Sequence, residues 1–534
     1  MELKSVKPCG QCTPWRSLGR ARQHRAVATT ALRPLRMRRA ERPFRPSRPW
    51  LVIGSAGYAK ARGRQARHCR VPAEMTEDEE ATDAVDDTGG GEVQDGRRSY
   101  ETCVGSYAWL YDKQGYDWTE LAGRREKGPK TSVALIIGYL GHHFAGLQQP
   151  WIASENFVRA VETELELALL KAGAMIPENF GNLCRLRWSR VGRTDGGVSA
   201  ACNVVTGRLI VGKEEGALDA LVERIRSFLP PDVELHGAAA VSKRYNARWE
   251  GARRDYRFLL PSFCVVPTLA KVRQWLAENR PLESPTGFDV EDLREIEKEL
   301  GLRQVRISDD QLQRFREAFC SFEGTHYFGN FANKKLDPMG PQGFRHLRRV
   351  ACGEPFVDNF GREWLPLEIS GDSFLTHQIR KMVATAALVA QGIVSMEFIQ
   401  AAMHRRIYVK TQRFPPVGLM FQRPFFSPKT PQRAGVEAAL QSEDVSDRIA
   451  AMKARLEEAI LKEADERRSA VKWLACVAHF EPEDMESEVL KEFRELKSTM
   501  DRQIRGRRAA STQVVCIRAG EGSDLWLGRH FQSR

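Results

Sequence analysis

The chain has 534 residues and carries 82 Lys and Arg against 69 Asp and Glu, a formal charge of +13. That surplus points to a polyanionic partner, and the length allows several domains. No apolar run is long enough to span a bilayer. The eleven cysteines are scattered; Cys9-x-x-Cys12 is one half of a zinc pattern with no second half at matching spacing, so they read as reduced structural thiols with no metal site.

The charge is unevenly placed. Residues 1–73 hold 18 Lys or Arg against two acids. Two readings stand side by side for this segment: an organellar transit peptide or a basic RNA-binding arm. They put the protein in the mitochondrion or the nucleus, and Met75 is an alternative start. Residues 74–95 then hold ten acids and no base, and 74–128, with Gly89-Gly90-Gly91, reads as an acidic and glycine-containing linker. The remainder, from Gly96 on, is still about +7.

The folded body starts near Lys130. Val133 to Tyr139 reads as a buried strand. Ser154 is a candidate N-cap, with Phe157, Val161 and Leu165 on one face of the helix that follows. Val204 and Val205 read as strand. Leu218, Leu221, Val222, Ile225 and Phe228 form a second helical stripe, and Tyr256 to Leu260 is a strand. A second half follows, with a helix over Gln311 to Phe322, a strand over Leu365 to Ser370 and a helix over Gln378 to Val389. The order predicts an α+β fold, a sheet with helices packed on one side. Beyond Phe426, the spacing of Val445, Ile449, Met452, Leu456 and Ile460 predicts an amphipathic helix docked on the body. Arg502 to Arg508 adds a small basic patch.

The stretch richest in chemistry is Val191-Gly192-Arg193-Thr194-Asp195-Gly196-Gly197-Val198-Ser199-Ala200. It sets one carboxylate between an arginine and two glycines. Glycines admit positive φ and close approach of another chain, and a guanidinium suits a phosphate or the place left by an extruded nucleotide. Taken alone, the segment reads first as a tight turn, in which Asp and Gly are common.

The decapeptide resembles the G-R-T-D-x-G-V-x-A motif of the TruA family of tRNA pseudouridine synthases, and further blocks follow in family order. Gly138-Tyr139-Leu140-Gly141-His142-His143-Phe144-Ala145-Gly146-Leu147-Gln148 is similar to the opening strand and loop. Leu229-Pro230-Pro231-Asp232-Val233, Tyr245-Asn246-Ala247-Arg248 and Arg254-Asp255-Tyr256-Arg257-Phe258 come next. Gly324-Thr325-His326-Tyr327-Phe328-Gly329-Asn330-Phe331-Ala332-Asn333-Lys334-Lys335 and Gly371-Asp372-Ser373-Phe374-Leu375-Thr376-His377-Gln378-Ile379-Arg380-Lys381-Met382 belong to the second half, and Pro415-Pro416-Val417-Gly418-Leu419 to its end. The wording around His326 and Ile379-Arg380-Lys381-Met382 is nearer the eukaryotic pseudouridine synthase 1 branch. The resemblance spans roughly residues 130–430.

The resemblance implies a catalytic domain of two pseudo-repeated mixed or antiparallel sheet halves, 129–262 and 263–430, around a central cleft, followed by a helical extension over 431–534. It implies conversion of uridine to pseudouridine in tRNA, at anticodon stem or loop positions. No cofactor is required, because the reaction has no redox step and no net hydrolysis. Asp195 is then the catalytic carboxylate, Arg380 its counter-charge and Tyr256 a stacking platform and proton acceptor. Arg193 fills the place of the extruded base. His326 and Phe328 line the entrance and touch RNA; Lys334, Lys335, Arg345 and Arg348 are candidate phosphate contacts. Gly196, Phe144 and Phe258 depart from the family pattern, which bears on substrate choice. A related synthase acting on snRNA or mRNA, or a catalytically silent RNA-binding protein on the same fold, are the alternatives. A glycosidase needs a second acid opposite Asp195, and no motif supplies one.

Overall fold

Alternation along the strands divides apolar side chains between two cores. In the first strand Val133, Leu135, Ile137 and Tyr139 enter one core while Ala134 and Ile136 enter another. Later strands repeat the division: Phe258 and Leu260 oppose Leu259, and Leu365 and Leu367 oppose Trp364. A period of two with both faces apolar demands a sheet covered on both sides.

The computed structural model describes residues 128–149, 159–279, 287–333, 335–338, 340–426, 431–479 and 486–503. The expectations for the basic segment, the linker up to 127, Cys9 and Cys12, Ser154, Phe157, Lys334 and the chain after 503 lie outside these residues. Ten strands form one sheet: β1 (Lys130–Tyr139), β2 (Ser189–Arg190), β3 (Ser199–Ile210), β4 (Val233–Ala240), β5 (Gly251–Pro261), β6 (Gly324–Tyr327), β7 (Phe344–Cys352), β8 (Phe356–Val357), β9 (Glu363–Gly371) and β10 (Leu419–Phe426). The order is β4-β1-β3-β10-β5-β9-β7-β6, with β2 beside β3 and β8 beside β9. Pairing is antiparallel throughout, apart from β3 and β10, which run parallel with Met420 opposite Ser199 and Phe421 opposite Ala200.

Eight helices from the body of the chain are α1 (Val161–Lys171), α2 (Ala217–Arg226), α3 (Ala247–Glu250), α4 (Leu269–Asn279), α5 (Val290–Glu299), α6 (Asp309–Cys320), α7 (Gln378–Ala390) and α8 (Met396–Ala402). All but the short α3 bury their apolar stripes in the first core; the sequence predicts α1, α2, α6 and α7, while α4, α5 and α8 were not anticipated. α5 and α6 open with capping boxes, Asp289 with Asp292 and Ser308 with Gln311, each satisfying backbone N–H groups that a helix start leaves orphaned. α7 is buried on almost every side, the pattern of a helix at the centre of a domain. Phe228 lies beyond the end of α2 and is 40 % exposed, so it falls outside the stripe predicted for it.

The predicted amphipathic segment is α10 (Glu443–Arg467), which follows α9 (Pro431–Gln441). Met452, Leu456 and Ile460 meet Leu259, Trp364 and Met420 from the second face of the sheet. The extension thus supplies the layer that the body's helices leave uncovered. α11 (Ser469–Ala478) and a helix over 486–503 return to the first core. Among the described residues no helix is long and apolar enough to cross a membrane.

α1 buries two glutamates one turn apart, and their surroundings differ. Glu162 is fully buried and accepts from Arg190 Nε at 2.6 Å, Trp188 Nε1 at 2.8 Å and the Gln149 backbone at 3.1 Å. Glu166 accepts from the Gly181 backbone at 2.8 Å, with Oε2 unpartnered. Burial pushes the Glu166 carboxyl up to about 8 from its ordinary 4.5, against the opposing Gly181 hydrogen bond and with the Glu162 charge adding to the rise. Between those two pH values the native state holds a proton that the unfolded chain has lost, so stability falls as pH rises through this window and levels off above about 8. Glu166→Gln stays neutral at every pH. It is expected to raise the melting temperature by a few degrees at pH 8 and to give no measurable gain at pH 4.5, as read by thermal denaturation across that range.

Candidate active site

Asp195 sits in a loop held from three sides. Its backbone bridges to Gly146, Gly197 N–H donates to Phe144 O at 3.0 Å and Leu147 N–H to Thr194 O at 3.3 Å. Beneath it, the buried Tyr139 hydroxyl and Thr194 Oγ1 are 2.9 Å apart, and Asn203 Nδ2 donates to Gly192 O at 3.0 Å. Arg254 on β5 donates from Nε and Nη2 to Val191 O at 3.1 and 2.9 Å, and from Nη1 to Asp372 O. This arginine therefore ties the start of the Asp195 loop to the chain just after β9. Gly197 adopts φ +78°, and a Cβ there would lie 2.6 Å from Pro416 Cγ. A side chain at that position would be strained and would collide with the ring.

The second half supplies the charge. Arg380, in the first turn of α7, is 3 % exposed. Its Nε donates to Phe414 O at 2.7 Å, while Phe414 N–H donates back to Arg380 O at 3.2 Å. With one edge of the guanidinium fixed, Nη1 lies 3.8 Å from Asp195 Oδ2. In a site partly shielded from water that separation favours an ionised carboxylate. The sequence paired these residues across 185 positions, and the structure brings them together.

His377 Nε2 is also 3.8 Å from Asp195 Oδ2, a contact with no counterpart in the sequence reading. Burial, reinforced by the guanidiniums of Arg413 and Arg380, pushes this imidazole down to about 3. It is neutral at physiological pH and adds no charge to the pair. Arg413 Nη1 lies 3.2 and 3.3 Å from the two ring nitrogens. His377 holds φ 67° at the N-cap of α7, a conformation that costs a non-glycine residue roughly 1 kcal/mol or more. Its position three residues before Arg380, one helical turn, was the available signal; Arg413 offered none beyond its charge.

Tyr256 packs between Phe374 and Phe421, with ring centroids at 5.1 and 4.9 Å. Burial raises its hydroxyl well above the ordinary value, and the charge of Asp195 adds to the rise while Arg254 opposes it. The hydroxyl therefore keeps its proton at neutral pH, which favours the stacking role over proton acceptance. Arg193 projects at the surface beside the site.

The other expected RNA contacts are dispersed over β6, β7 and the loop between them. His326 is half-buried, with Nε2 2.8 Å from Glu323 O, and pairs in register with Arg345. Arg345 donates to the carbonyls of Gln342 and Phe344 at 2.6 and 2.7 Å. Arg348 is exposed and ion-paired with Asp372 at 2.5 Å. Lys335 is exposed against Tyr408. Phe328 corrects an expectation: it is fully buried against Phe322 and Phe331. An apolar ring in that aromatic cluster belongs to the core and does not face the entrance. Phe144 and Phe258, the departures from the family pattern, are also buried, at 4 % and 0 % exposure.

The tRNA pseudouridine synthase family profile matches residues 318–427. Pseudouridylate synthase 1 homolog of Homo sapiens is 30 % identical over 65 % of this chain and 72 % of its own length. The chain belongs to this family. The corresponding mouse protein is 29 % identical over 62 % of this chain and 70 % of its own, and tRNA pseudouridine synthase 1 of Candida albicans is 27 % identical over 60 % of each. The chain thus spans about 60 % of the length of the Candida relative. The profile match begins at residue 318, so Arg380 and β10 lie inside it while Asp195 lies outside.

Arg380→Lys keeps the charge but cannot both bond Phe414 O and hold a fixed edge toward Asp195. Turnover is expected to fall about 100-fold, with the thermal midpoint and circular dichroism close to wild type.

Proposed function

We propose that this protein isomerises uridine to pseudouridine in tRNA. The observation that carries the reading is the carboxylate of Asp195, in a glycine-bounded loop, facing a buried arginine anchored on a backbone carbonyl. The family membership and the names of its relatives support tRNA as the substrate class. The reaction breaks the N1–C1′ bond, forms C5–C1′, releases the C5 proton and protonates N1, so no atom is gained or lost. It asks for a carboxylate at the sugar and base, a charge to keep it ionised and a surface on which the detached uracil can turn.

Each part has a candidate. Asp195 is the nucleophile or base, and Arg380 is its counter-charge. Tyr256, set between two phenylalanines, is the face for the base. Arg193, exposed on the same loop, fills the gap left by the extruded nucleotide, which lowers a cost of a few kcal/mol. Anticodon stem and loop uridines are the proposed targets, on the resemblance to the family; of these, the unpaired loop bases are extruded most cheaply. The nucleus or mitochondrion is the proposed compartment, on the basic character of residues 1–73.

Incubation with tRNA labelled as [5-³H]uridine tests the reading. Wild type is expected to release tritium, and Asp195→Asn to bind the RNA with near wild-type affinity and release none. Release by Asp195→Asn would remove this residue from the chemistry. No release by wild type while tRNA stays bound would favour an snRNA or mRNA substrate or a silent RNA-binding role.

A further inference from the structure

The segment between α8 and β10 has no regular structure, yet its side chains alternate strictly. Ile407, Val409 and Thr411 are buried, at 2, 3 and 4 % exposure. Arg406, Tyr408 and Lys410 are exposed between them, Tyr408 by 60 %. A single exposed ring is common on protein surfaces; what sets Tyr408 apart is its place between two exposed cations on a fixed backbone.

The segment is held along its length. Asn330 Nδ2 donates to Ala402 O at 2.9 Å and to Ile407 O at 2.8 Å, and its Oδ1 accepts from Val409 N–H at 3.2 Å. Thr411 Oγ1 donates to Asn330 O at 2.8 Å. At its far end, Arg413 contacts His377 and Phe414 fixes Arg380. The segment is therefore anchored by the residues that shape the active site. Arg413 lies five positions after Tyr408, so at most roughly 18 Å of backbone separates the two residues.

Lys335 Nζ stands 4.7 Å over the Tyr408 ring. With this cation over the ring, Tyr408 is still largely exposed. An aromatic face bounded by cations on either side suits a polyanion carrying flat, stackable groups.

We propose that residues 406–410 form a track for the RNA strand next to the target uridine, with an unpaired base stacked on Tyr408 and phosphates met by Arg406 and Lys410. The track rests on the chain's being an RNA-modifying enzyme and adds to that reading where the strand runs. The rigid base on Asn330 limits the ordering cost on binding.

The full chain with a fluorescently labelled, unmodified tRNA transcript tests the track by anisotropy at several salt concentrations. Tyr408→Ala is expected to weaken binding about ten-fold without changing the slope of log K against log salt. Tyr408→Phe is expected to bind as wild type, because stacking needs the ring and not the hydroxyl. The Arg406→Ala, Lys410→Ala double variant is expected to flatten the salt slope by about 1.4, the value for two lost phosphate contacts on a single strand. Wild-type affinity in Tyr408→Ala overturns the proposal and leaves the ridge as a surface for a protein. Equal weakening in Tyr408→Ala and Tyr408→Phe overturns it as well. Tritium release from the same preparations separates the two readings. A Tyr408-dependent affinity without release by wild type leaves the track and removes the reaction; release with a Tyr408-independent affinity does the reverse.

Discussion

The placement of β10 between β3 and β5 is the contact on which the site depends. β10 is the last strand in the chain and fills the gap between two strands of the first half, parallel to β3 and antiparallel to β5. Phe421 on this strand stands opposite Ala200 on one side and Tyr256 on the other. The same ring lies under Gly192, where a Cβ would come within 3.0 Å of it. The loop carrying Asp195 and the strand carrying Tyr256 are thus set by one closure. An insertion that slipped β10 by one residue would turn Phe421 to the opposite face and dismantle the arrangement.

Charge inside the site is fixed by backbone groups more than by other charges. Arg380 is buried, and such a cation is tolerated because Phe414 O accepts from it while Asp195 faces it. His377, held neutral by burial and by two guanidiniums, leaves the site without a second positive charge at the carboxylate. Lys381, the next residue after Arg380, shows the cost of crowding. Burial, with Arg413 and Lys410 nearby, pushes its ammonium down to about 8, although it donates to Ala332 O at 2.7 Å. The left-handed His377 opens this cation-rich turn of helix at φ 67°.

A second charge cluster lies apart from the site and serves the fold. Glu297 accepts from Arg468 Nε at 2.9 Å and from Arg362, both almost fully buried. Arg468 joins α10 to α11 at φ 51°. The C-terminal extension is thereby tied to α5 and to the turn before β9. Removing one partner would leave an uncompensated buried charge, which is far more costly than any exposed pair.

Much of this was legible in the chain itself. Period-two apolar runs gave β1, β5 and β9 within a few residues, because a strand buried on both faces leaves little freedom in composition. The three- and four-residue spacing of Val445 to Ile460 gave α10, because an amphipathic helix buries a single apolar stripe. Motif resemblance singled out Asp195, Arg380 and Tyr256, and the structure gathers them. Local sequence could not say which face of an aromatic-rich segment would turn inward. Phe328 was therefore read as an RNA contact, although it closes the core with Phe322 and Phe331. Nor could sequence reveal His377 at Asp195, Arg254 at Val191 or the ridge built on Asn330. Each of these depends on where a distant backbone carbonyl or side chain comes to rest. The sequence by itself determined periodicity, composition and the candidate residues of the site, which are local properties. Only the tertiary structure decided which groups meet, because that is set by strand order and by the insertion of β10, and neither is encoded at any single position.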